Sequence, residues 1–451
     1  MHRIRTLTLM AGLMFLVGAA ACSGPDPMDT LPPGYSATDP TVEEILAQIS
    51  RENVAAILKK LESFETRHTL SETESDVRGI GAARRWIREE YASYSDRLEV
   101  ELVPFVIDED SPGRLPAGTE LMDVVAVLPG TDPELSGRHI ILTGHYDTVN
   151  LDPVREGDPY ERRDPDRPAP GVDDDATGVA AAMELARVFS GYEFPKSLIF
   201  MAVAGEEEGL VGARLFAQKA RSEGMEIEAV LNMDMIGNAE RGGGAETTPG
   251  TVRLFSEGPQ DSESRQIARY VETVGERYVP GMDVDLIFRR DRFGRGGDHT
   301  AFNAEGFPGV RLVEANEDYE HQHSYNDVFE NVDMGLVMDT ARIAGACAAT
   351  LALAPSAPAP LRLGRGEGYD AQLLFRPAQG PEVQGYVVAL RSTTAPRWER
   401  YLWFDEAERI ERRGEAYMQI TLPNQDIDDV VIGIGALGAE GRPSIIRAFK
   451  R

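Results

Sequence analysis

The stretch HIILTGHYD, residues 139–147, decides the fold of this 451-residue chain. It begins with a short apolar run, His139–Thr143, which is typical of a strand buried on both faces of a parallel sheet. Two polar side chains, His145 and Asp147, follow directly. Open sheets of this kind place their sites beyond the carboxyl ends of the strands. We therefore expect His145 and Asp147 to lie at a functional site.

Strand and helix patterns alternate on both sides of this stretch. Helical spacing over Val42–Tyr94 and strand patterns at Leu98–Phe105 and Met122–Leu128 precede it. The elements predicted after it are helix Ala176–Phe189, strand Ser197–Ala204, helix Gly212–Glu223, strand Ala229–Met235, strand Val252–Ser256, helix Ser262–Tyr278, strand Gly309–Val313 and helix Met334–Leu353. The alternation predicts an α/β fold over residues 42–353, a three-layer sandwich with a mostly parallel central sheet flanked by helices.

The pattern changes after residue 353. Residues 354–360 read APSAPAP, which predicts a stiff linker. Short strand patterns separated by turn residues fill 361–451 and predict a small all-β sandwich, similar to a fibronectin type III module. These strands are expected at Ala371–Phe375, Gly385–Leu390, Arg400–Phe404, Met418–Leu422, Val430–Ala436 and Ser444–Phe449.

Residues 1–22 have the pattern of a signal peptide. Arg3 and Arg5 precede the apolar run Leu7–Ala21, and the small residues before Cys22 resemble the lipobox of a bacterial lipoprotein. Residues 23–41, rich in Pro, Gly and Asp, are expected to form a linker. We expect an exported protein, either a periplasmic or cell-envelope lipoprotein attached through a lipid on Cys22 or a secreted protein.

The formal net charge of −29 limits the partners. Nucleic-acid binding needs a basic surface, so nucleic acid is excluded as a partner. The same charge argues against docking on anionic lipid, which leaves a lipid on Cys22 as the only expected membrane attachment. The two cysteines rule out a disulfide framework. The sequence does not predict an oligomeric state.

Carboxylates cluster at the ends of the predicted strands. The triplets Asp173–Asp175 and Glu206–Glu208, together with Asp234, follow buried strands or precede a helix. Unpaired carboxylates next to an apolar sheet have a large desolvation cost and would repel one another. Cations between them would remove both problems. Histidine combined with carboxylates suits zinc, so a metal site is predicted here.

Five motifs in order resemble peptidase family M28 over roughly residues 40–353. They are GHYD at 144–147, PGVDDDATG at 170–178, EEEGL at 206–210, NMDM at 232–235 and HS at 323–324. The family contains cocatalytic zinc aminopeptidases. The resemblance implies two Zn²⁺ ions, with cobalt or manganese as alternatives, and peptides as substrates cleaved at the N-terminus by metal-activated water.

The resemblance also implies a role for each matching residue. Asp174 would bridge the two metals, one held by His145 and Asp234 and the other by Glu207 and His323. Glu206 would be the general base. Asp147, two residues after His145, would accept the second imidazole N–H of that ligand. The peptide bond between Asp174 and Asp175 is expected to be cis, as is common in the family.

Other candidates are less constrained by the sequence. Asp298 and His299 resemble a family segment lining the site and are equally compatible with a structural role. His323 is favoured over His321 as the ligand because it matches the His-Ser motif. Some relatives place an oxyanion-stabilising tyrosine before the Asp-His pair, and this chain has Gly294–Gly296 there. Tyr319, Tyr325, Arg295 or the metals themselves remain as candidates.

Three other functions stay open. Carboxypeptidase or dipeptidase action is the main alternative, followed by a glutaminyl cyclase and an inactive binding protein of the same fold. An acidic pocket would favour a free amino group, and a basic pocket would favour a free carboxylate. The local excess of Asp and Glu favours a free amino group, and the arginines at 289, 290, 292 and 295 partly offset that excess. The loop Asn150–Pro170 is expected to form a rim that restricts substrate size.

Overall fold

A computed structural model describes residues 37–450, apart from 112, 155–158, 160, 162, 240–249, 381 and 413. The signal peptide at 1–22, with Cys22, and residues 23–36 of the predicted linker lie outside the described residues, as do parts of the 150–170 loop. The helices are α1 Pro40–Ala47, α2 Arg51–Glu62, α3 Gly79–Tyr94, α4 Thr177–Phe189, α5 Val211–Glu223, α6 Glu263–Tyr278, α7 Asp298–Ala304 and α8 Met334–Leu353. The strands are β1 Glu99–Val106, β2 Glu120–Leu128, β3 Arg138–His145, β4 Ser197–Val203, β5 Glu226–Met233, β6 Thr251–Ser256, β7 Asp283–Ile287, β8 Gly309–Glu314, β9 Ala359–Arg365, β10 Ala371–Arg376, β11 Gly385–Ser392, β12 Arg400–Phe404, β13 Glu408–Arg412, β14 Glu415–Leu422, β15 Val430–Leu437 and β16 Arg447–Ala448.

The first eight strands form one sheet in the order β1-β2-β4-β3-β5-β8-β6-β7. The central strands β4, β3, β5 and β8 run parallel, whereas β1 and β2 pair antiparallel at one edge and β6 pairs antiparallel with β8. Helices cover both faces, which confirms the predicted α/β sandwich. The sheet is parallel in its centre, where the functional site was expected, and again between β6 and β7 at the other edge.

Burial on both faces explains the apolar run Ile140–Leu142 within β3. Ile140 and Leu142 pack into the large core beneath α4 and α8, whereas Ile141 packs into a second core with residues of α5 and α7. Successive side chains of a strand point to opposite faces, so both faces need apolar residues here. Helix α8 is long and apolar enough to cross a membrane, but it is mostly buried in the first core.

Several short elements were not predicted. Strand β7 and helix α7 have five and seven residues, too few for a clear periodic pattern. Strand β9 begins at Ala359, within the segment predicted as a linker. The residues before β9 are packed, and the buried Lys196 Nζ donates to the carbonyls of Leu351 and Pro355. The strand predicted at Ser444–Phe449 is reduced to the two residues of β16.

Residues 359–448 form the predicted all-β sandwich. Its two four-stranded sheets have the orders β13-β14-β10-β9 and β12-β11-β15-β16, and every pairing is antiparallel. A separate apolar core lies between them, with Leu373, Phe375, Val388 and Ile434 at its centre. The sandwich therefore has its own hydrophobic core.

Arginines of the sandwich attach it to the α/β unit. Arg391 pairs with Asp261, Arg397 with Glu272, Arg442 with Asp39 and Arg447 with Glu263. The Arg391 side chain is fully buried, and the Glu272 side chain is 7% exposed. Ion pairs removed from water respond strongly to loss of one partner.

Glu272 predicts a pH-dependent contribution to stability. Burial, opposed by Arg397, raises the pKa of Glu272 from the ordinary 4.5 to about 7. Between these values the folded chain keeps a proton that the unfolded chain has released. Glu272 therefore lowers the free energy of unfolding as the pH rises through this window. We expect Glu272→Gln to remove up to about 3 kcal/mol of this pH dependence.

Urea denaturation at pH 4.5 to 8 measures the effect. Glu263→Gln is the matched control, because Glu263 forms the more exposed ion pair with Arg447 between the sandwich and the α/β unit. Its free energy of unfolding should depend on pH as in the unmodified chain. Profiles for Glu272→Gln that run parallel to those of the unmodified chain would contradict the assignment.

Candidate metal centre

The centre lies where the parallel strands β4, β3 and β5 end side by side. His145 is the last residue of β3, Asp234 follows β5 directly, and Glu206 comes three residues after β4. Register pairing places His145 opposite Val203, the last residue of β4. The strand-end placement predicted for these residues is therefore observed.

Two glycines let helix α4 approach the strands closely. A Cβ on Gly144 of β3 would lie 2.6 Å from the backbone of Gly178, and a Cβ on Gly178 would lie 2.0 Å from the Met233 carbonyl oxygen. Any larger residue would push α4 away from the sheet. This contact brings residues 172–176, which lead into α4, to the strand ends. The Asp174–Asp175 peptide bond within this segment is cis, as expected.

Asp174 connects two histidines. Its Oδ1 lies 3.0 Å from His145 Nε2, and its Oδ2 lies 3.0 Å from His323 Nε2. Glu207 Oε1 is 2.8 Å from the same His323 nitrogen. His321 instead contacts Asp318 at 2.8 Å with a side chain that is 39% exposed. The geometry thus brings His323, and not His321, to the centre.

Two groups of side chains have the composition of metal sites. Potential ligand atoms of Asp174, Glu207 and His323 lie within 4.8 Å of one another, and so do those of His145, Asp175 and Asp234. In the second group, Asp175 already accepts backbone N–H bonds from His145 and Gly178, at 3.0 and 2.9 Å. Asp174 Oδ1, which faces His145, is the better-placed carboxylate oxygen for that group.

The charges of the centre are those of a cation site. Burial raises the pKa of Glu207 and raises that of Asp234 to about 6. Burial alone would lower the pKa of His323, but Glu207 and Asp174 raise it to about 11. Burial opposes ionisation of Asp174, yet hydrogen bonds from His145 and His323 hold its pKa well below the usual range. Buried imidazoles and carboxylates in contact form a donor set that fits zinc.

Asp147 lies beside His145 as predicted, but the closest partners of its carboxylate are different. The His145 Nδ1 atom lies 3.1 Å from the Asp147 backbone carbonyl and 3.6 Å from the carboxylate. The Asp147 carboxylate accepts instead from the backbone N–H groups of Glu206 and Glu207, at 3.1 and 3.2 Å, and from the Thr69 hydroxyl. The carboxylate still lies on the same side as the His145 ring, as the spacing of two residues predicts, but its hydrogen bonds go to these three donors. Asp147 therefore fixes the turn that carries Glu206 and Glu207.

Glu206 lines the cleft without belonging to either group of ligands. Its carboxylate accepts no hydrogen bond from the described residues. Burial raises the pKa of Glu206 well above the usual range, Glu207 and Asp234 act in the same direction, and His145 opposes them. A carboxylate with raised pKa and free oxygens can accept and return a proton.

Three supporting residues were missed by the sequence analysis. Arg311 is fully buried on β8 and donates to Asp234 Oδ1 at 2.8 Å. Gln322 donates to Asp174 Oδ2 at 2.5 Å. Asp327 accepts from the backbone N–H of Asp174 at 3.1 Å. An arginine inside the apolar run of β8 was a usable signal, since a buried charge needs a partner.

The remaining candidates lie at different depths. Asp298 is fully buried, burial raises its pKa to about 7, and neither of its oxygens has a hydrogen-bond partner among the described residues. The buried His299 ring contacts the Arg290 carbonyl at 2.9 Å. Tyr325 accepts from Arg167 Nε at 2.8 Å, and Tyr319 is 62% exposed. Neither tyrosine lines the cleft with Glu206, although Tyr319 lines an adjoining pocket with His323.

The centre opens into a cleft of about 780 Å³. Five carboxylates line it, four of them from the centre. It is also lined by seven arginines, Arg114, Arg163, Arg214, Arg289, Arg290, Arg292 and Arg295. In a chain with a net charge of −29, such a concentration of positive charge is distinctive.

Comparisons with known proteins give matches in sequence and in fold. The model of peptidase family M28 matches residues 123–348. A protein of Pyrenophora tritici-repentis named "Probable zinc metalloprotease" is 32% identical over 443 residues, which is 90% of this chain and 96% of that protein. A relative with a similar name from Leptosphaeria maculans is 33% identical over 439 residues, with the same two coverages. The LapA aminopeptidase of Legionella pneumophila shares the fold with a TM-score of 0.53 at 21% identity, over 69% of this chain and 75% of that one.

Proposed function

The chain belongs to peptidase family M28 and is a zinc metallopeptidase, and from this premise we propose that it is a dinuclear exopeptidase that removes N-terminal residues from peptides. One observation carries the proposal. The two oxygens of Asp174 face two different histidines, His145 and His323, at 3.0 Å each. A single carboxylate between two imidazoles could serve as a ligand shared by two cations.

The residues present fit two zinc ions. His145 and Asp234 would hold one ion, Glu207 and His323 the other, and Asp174 both. When bound, such ions supply Lewis acidity at the scissile carbonyl and lower the pKa of water. Arg311 and Gln322 would orient Asp234 and Asp174 through the hydrogen bonds described above.

Glu206 is proposed as the general base. Its carboxylate would take a proton from the attacking water and return it to the nitrogen of the departing peptide, so that its charge is restored after each turnover. The turn held by Asp147 fixes the position of this carboxylate. Neither tyrosine candidate lines this cleft, so we assign no tyrosine to the oxyanion.

The proposed direction of cleavage is supported by the names of fold neighbours such as LapA. Peptides with free ends, N-acetylated peptides and C-terminally amidated peptides should be assayed with and without a chelator. We expect acetylation and chelation each to abolish cleavage, and amidation to leave cleavage of the N-terminal bond in place. Cleavage of acetylated peptides combined with loss on amidation would replace this proposal with carboxypeptidase action, the second candidate favoured by the arginines of the cleft.

Asp147 gives a further prediction. In Asp147→Asn one acceptor oxygen becomes a donor, and it cannot accept from the N–H groups of both Glu206 and Glu207. We expect turnover and zinc affinity to fall by about 10- to 100-fold, as for other residues that orient metal ligands. Steady-state kinetics and zinc titration with a competing chelator measure the two effects. Unchanged values would remove Asp147 from the support of the centre.

We also propose that the protein is exported and anchored by a lipid on Cys22. The supporting feature is the sequence pattern of residues 1–22. Metabolic labelling with a radioactive fatty acid should mark the protein, and Cys22→Ser should abolish the label. An unlabelled protein in the culture medium would favour secretion.

A further inference from the structure

The arginines of the cleft differ in how strongly they are already paired. Arg292 contacts Asp291 at 3.0 Å and also pairs with Glu317, and Arg114 pairs with Glu208 at 3.4 Å. Arg289 donates to the Asp291 carbonyl at 2.7 Å. These groups hold the wall of the cleft together. The charges of Arg292 and Arg114 are balanced by carboxylates of the protein itself.

Three cleft arginines have no carboxylate partner among the described residues: Arg163 and Arg289, which are exposed, and Arg214, which is half-buried. The carboxylate paired with Arg295 is as distant as 3.9 Å. Arg214 and Arg295 both line the cleft. The half-buried Arg214 guanidinium has lost part of its hydration and gains most from an anion that arrives with the ligand. Arg295 is more exposed and also donates to the Gln322 side chain at 3.4 Å.

Arg214 and Arg295 belong to one wall of the cleft. A Cβ on Gly296, the neighbour of Arg295, would lie 3.4 Å from Leu210 Cδ1. Leu210 directly precedes α5, and its carbonyl accepts the N–H of Arg214 at 3.0 Å. The loop after β7 therefore packs against the start of α5, next to both arginines.

This wall lies on the Glu206 side of the centre. The backbone N–H of Leu210 donates to the Glu206 carbonyl at 2.9 Å, so the helix with Arg214 continues directly from the Glu206 turn. A base that returns its proton to the departing nitrogen must lie on the side of the leaving group. The residue after the scissile bond would therefore face Arg214.

We propose that Arg214, assisted by Arg295, binds a carboxylate on the leaving-group side of the peptide, which makes short peptides and peptides with an acidic second residue the preferred substrates. The inference rests on the proposed function for the direction of cleavage. The carboxylate is either the C-terminus of a dipeptide or the side chain of Asp or Glu in second position. Both present the same planar anion to a guanidinium.

Binding to the zinc-loaded Glu206→Gln protein tests the inference without turnover. Calorimetry would compare Leu-Gly with Leu-Gly-amide, and Leu-Asp-amide with Leu-Asn-amide. We expect the charged member of at least one pair to bind about 10- to 100-fold more tightly, as for hydrogen bonds between charged groups. A preference confined to the first pair identifies the terminal carboxylate, and one confined to the second identifies the side chain.

Arg214→Gln in the same background should remove most of the preference while leaving the affinity for the neutral peptides in place. Arg214→Lys keeps the positive charge and should retain part of the preference for charged peptides. This result would separate loss of the charge from a structural effect of the substitution. Arg221→Gln, on the exposed side of the same helix, is the matched control. Raising the salt concentration should narrow the preference.

Equal affinities for charged and neutral peptides would overturn the proposal, and so would an equal loss for both in Arg214→Gln. Failure of the proposed function would appear differently. In that case the enzyme with Glu206 intact would not cleave leucine p-nitroanilide, which carries no carboxylate. The Glu206→Gln protein would still bind charged peptides more tightly than neutral ones.

Discussion

Replacing Glu206 with glutamine is expected to reduce turnover by about 10³-fold while both zinc ions stay bound. The amide has nearly the same shape as the carboxylate but cannot accept the proton of the attacking water. Since Glu206 belongs to neither group of ligands, its loss should leave the metal content unchanged. Steady-state kinetics and elemental analysis of the purified variant measure these two quantities.

Glu208→Gln is the matched control for this experiment. Glu208 lies two residues further along the same turn and contacts His68 at 3.5 Å and Arg114 at 3.4 Å, outside both ligand groups. We expect it to keep the turnover of the unmodified enzyme. If Glu206→Gln also kept its turnover, Glu206 would not be the base. If it lost zinc, Glu206 would be a ligand.

Replacing Asp174 with asparagine is expected to lower zinc content below two ions per chain and to reduce turnover by at least about 10²-fold. The amide has one oxygen, so only one of the two histidine contacts at 3.0 Å keeps an acceptor. The substitution also removes the negative charge that would offset the repulsion between two dications. Elemental analysis and zinc titration give the stoichiometry, and kinetics give the activity.

Asp173→Asn is the matched control, because Asp173 is adjacent to Asp174 but belongs to neither ligand group. Burial and the nearby Asp327 raise the pKa of Asp173 well above the usual range. The Asp173 Oδ1 atom accepts from the backbone N–H of Gly237 at 2.8 Å, a bond that an asparagine oxygen can also accept. Asp173→Asn should therefore keep two zinc ions. Two ions bound by Asp174→Asn at the affinity of the unmodified protein would rule out the shared ligand, and with it the dinuclear proposal.

The pH dependence of Glu272 and the ion pairs of the sandwich concern stability alone. The ion pairs of Arg391 and three further arginines hold the sandwich, which has its own core, against the peptidase unit. The proposed binding of a carboxylate by Arg214 concerns substrate choice. The two effects can be measured separately because Glu272 lies on α6, outside the lining of the cleft.

The sequence by itself determined the α/β fold, because the periodicity of buried strands and amphipathic helices is a local property of the chain. It also predicted which residues would meet, since carboxyl ends of adjacent parallel strands lie at one edge. His145 ends β3, Glu206 and Glu207 follow β4, and Asp234 follows β5. The contacts between His323 and Asp174 were expected only from the motifs of the family.

Tertiary structure alone decided the contacts made across long stretches of chain. The Asp147 carboxylate accepts from the backbone of Glu206 and Glu207 because the turn after β4 brings these N–H groups to it, which the spacing between His145 and Asp147 could not reveal. Arg311 and Gln322 reach Asp234 and Asp174 from segments 77 and 148 residues away in sequence. Side-chain partners of this kind depend on how separate elements pack, and no periodicity along the chain encodes them.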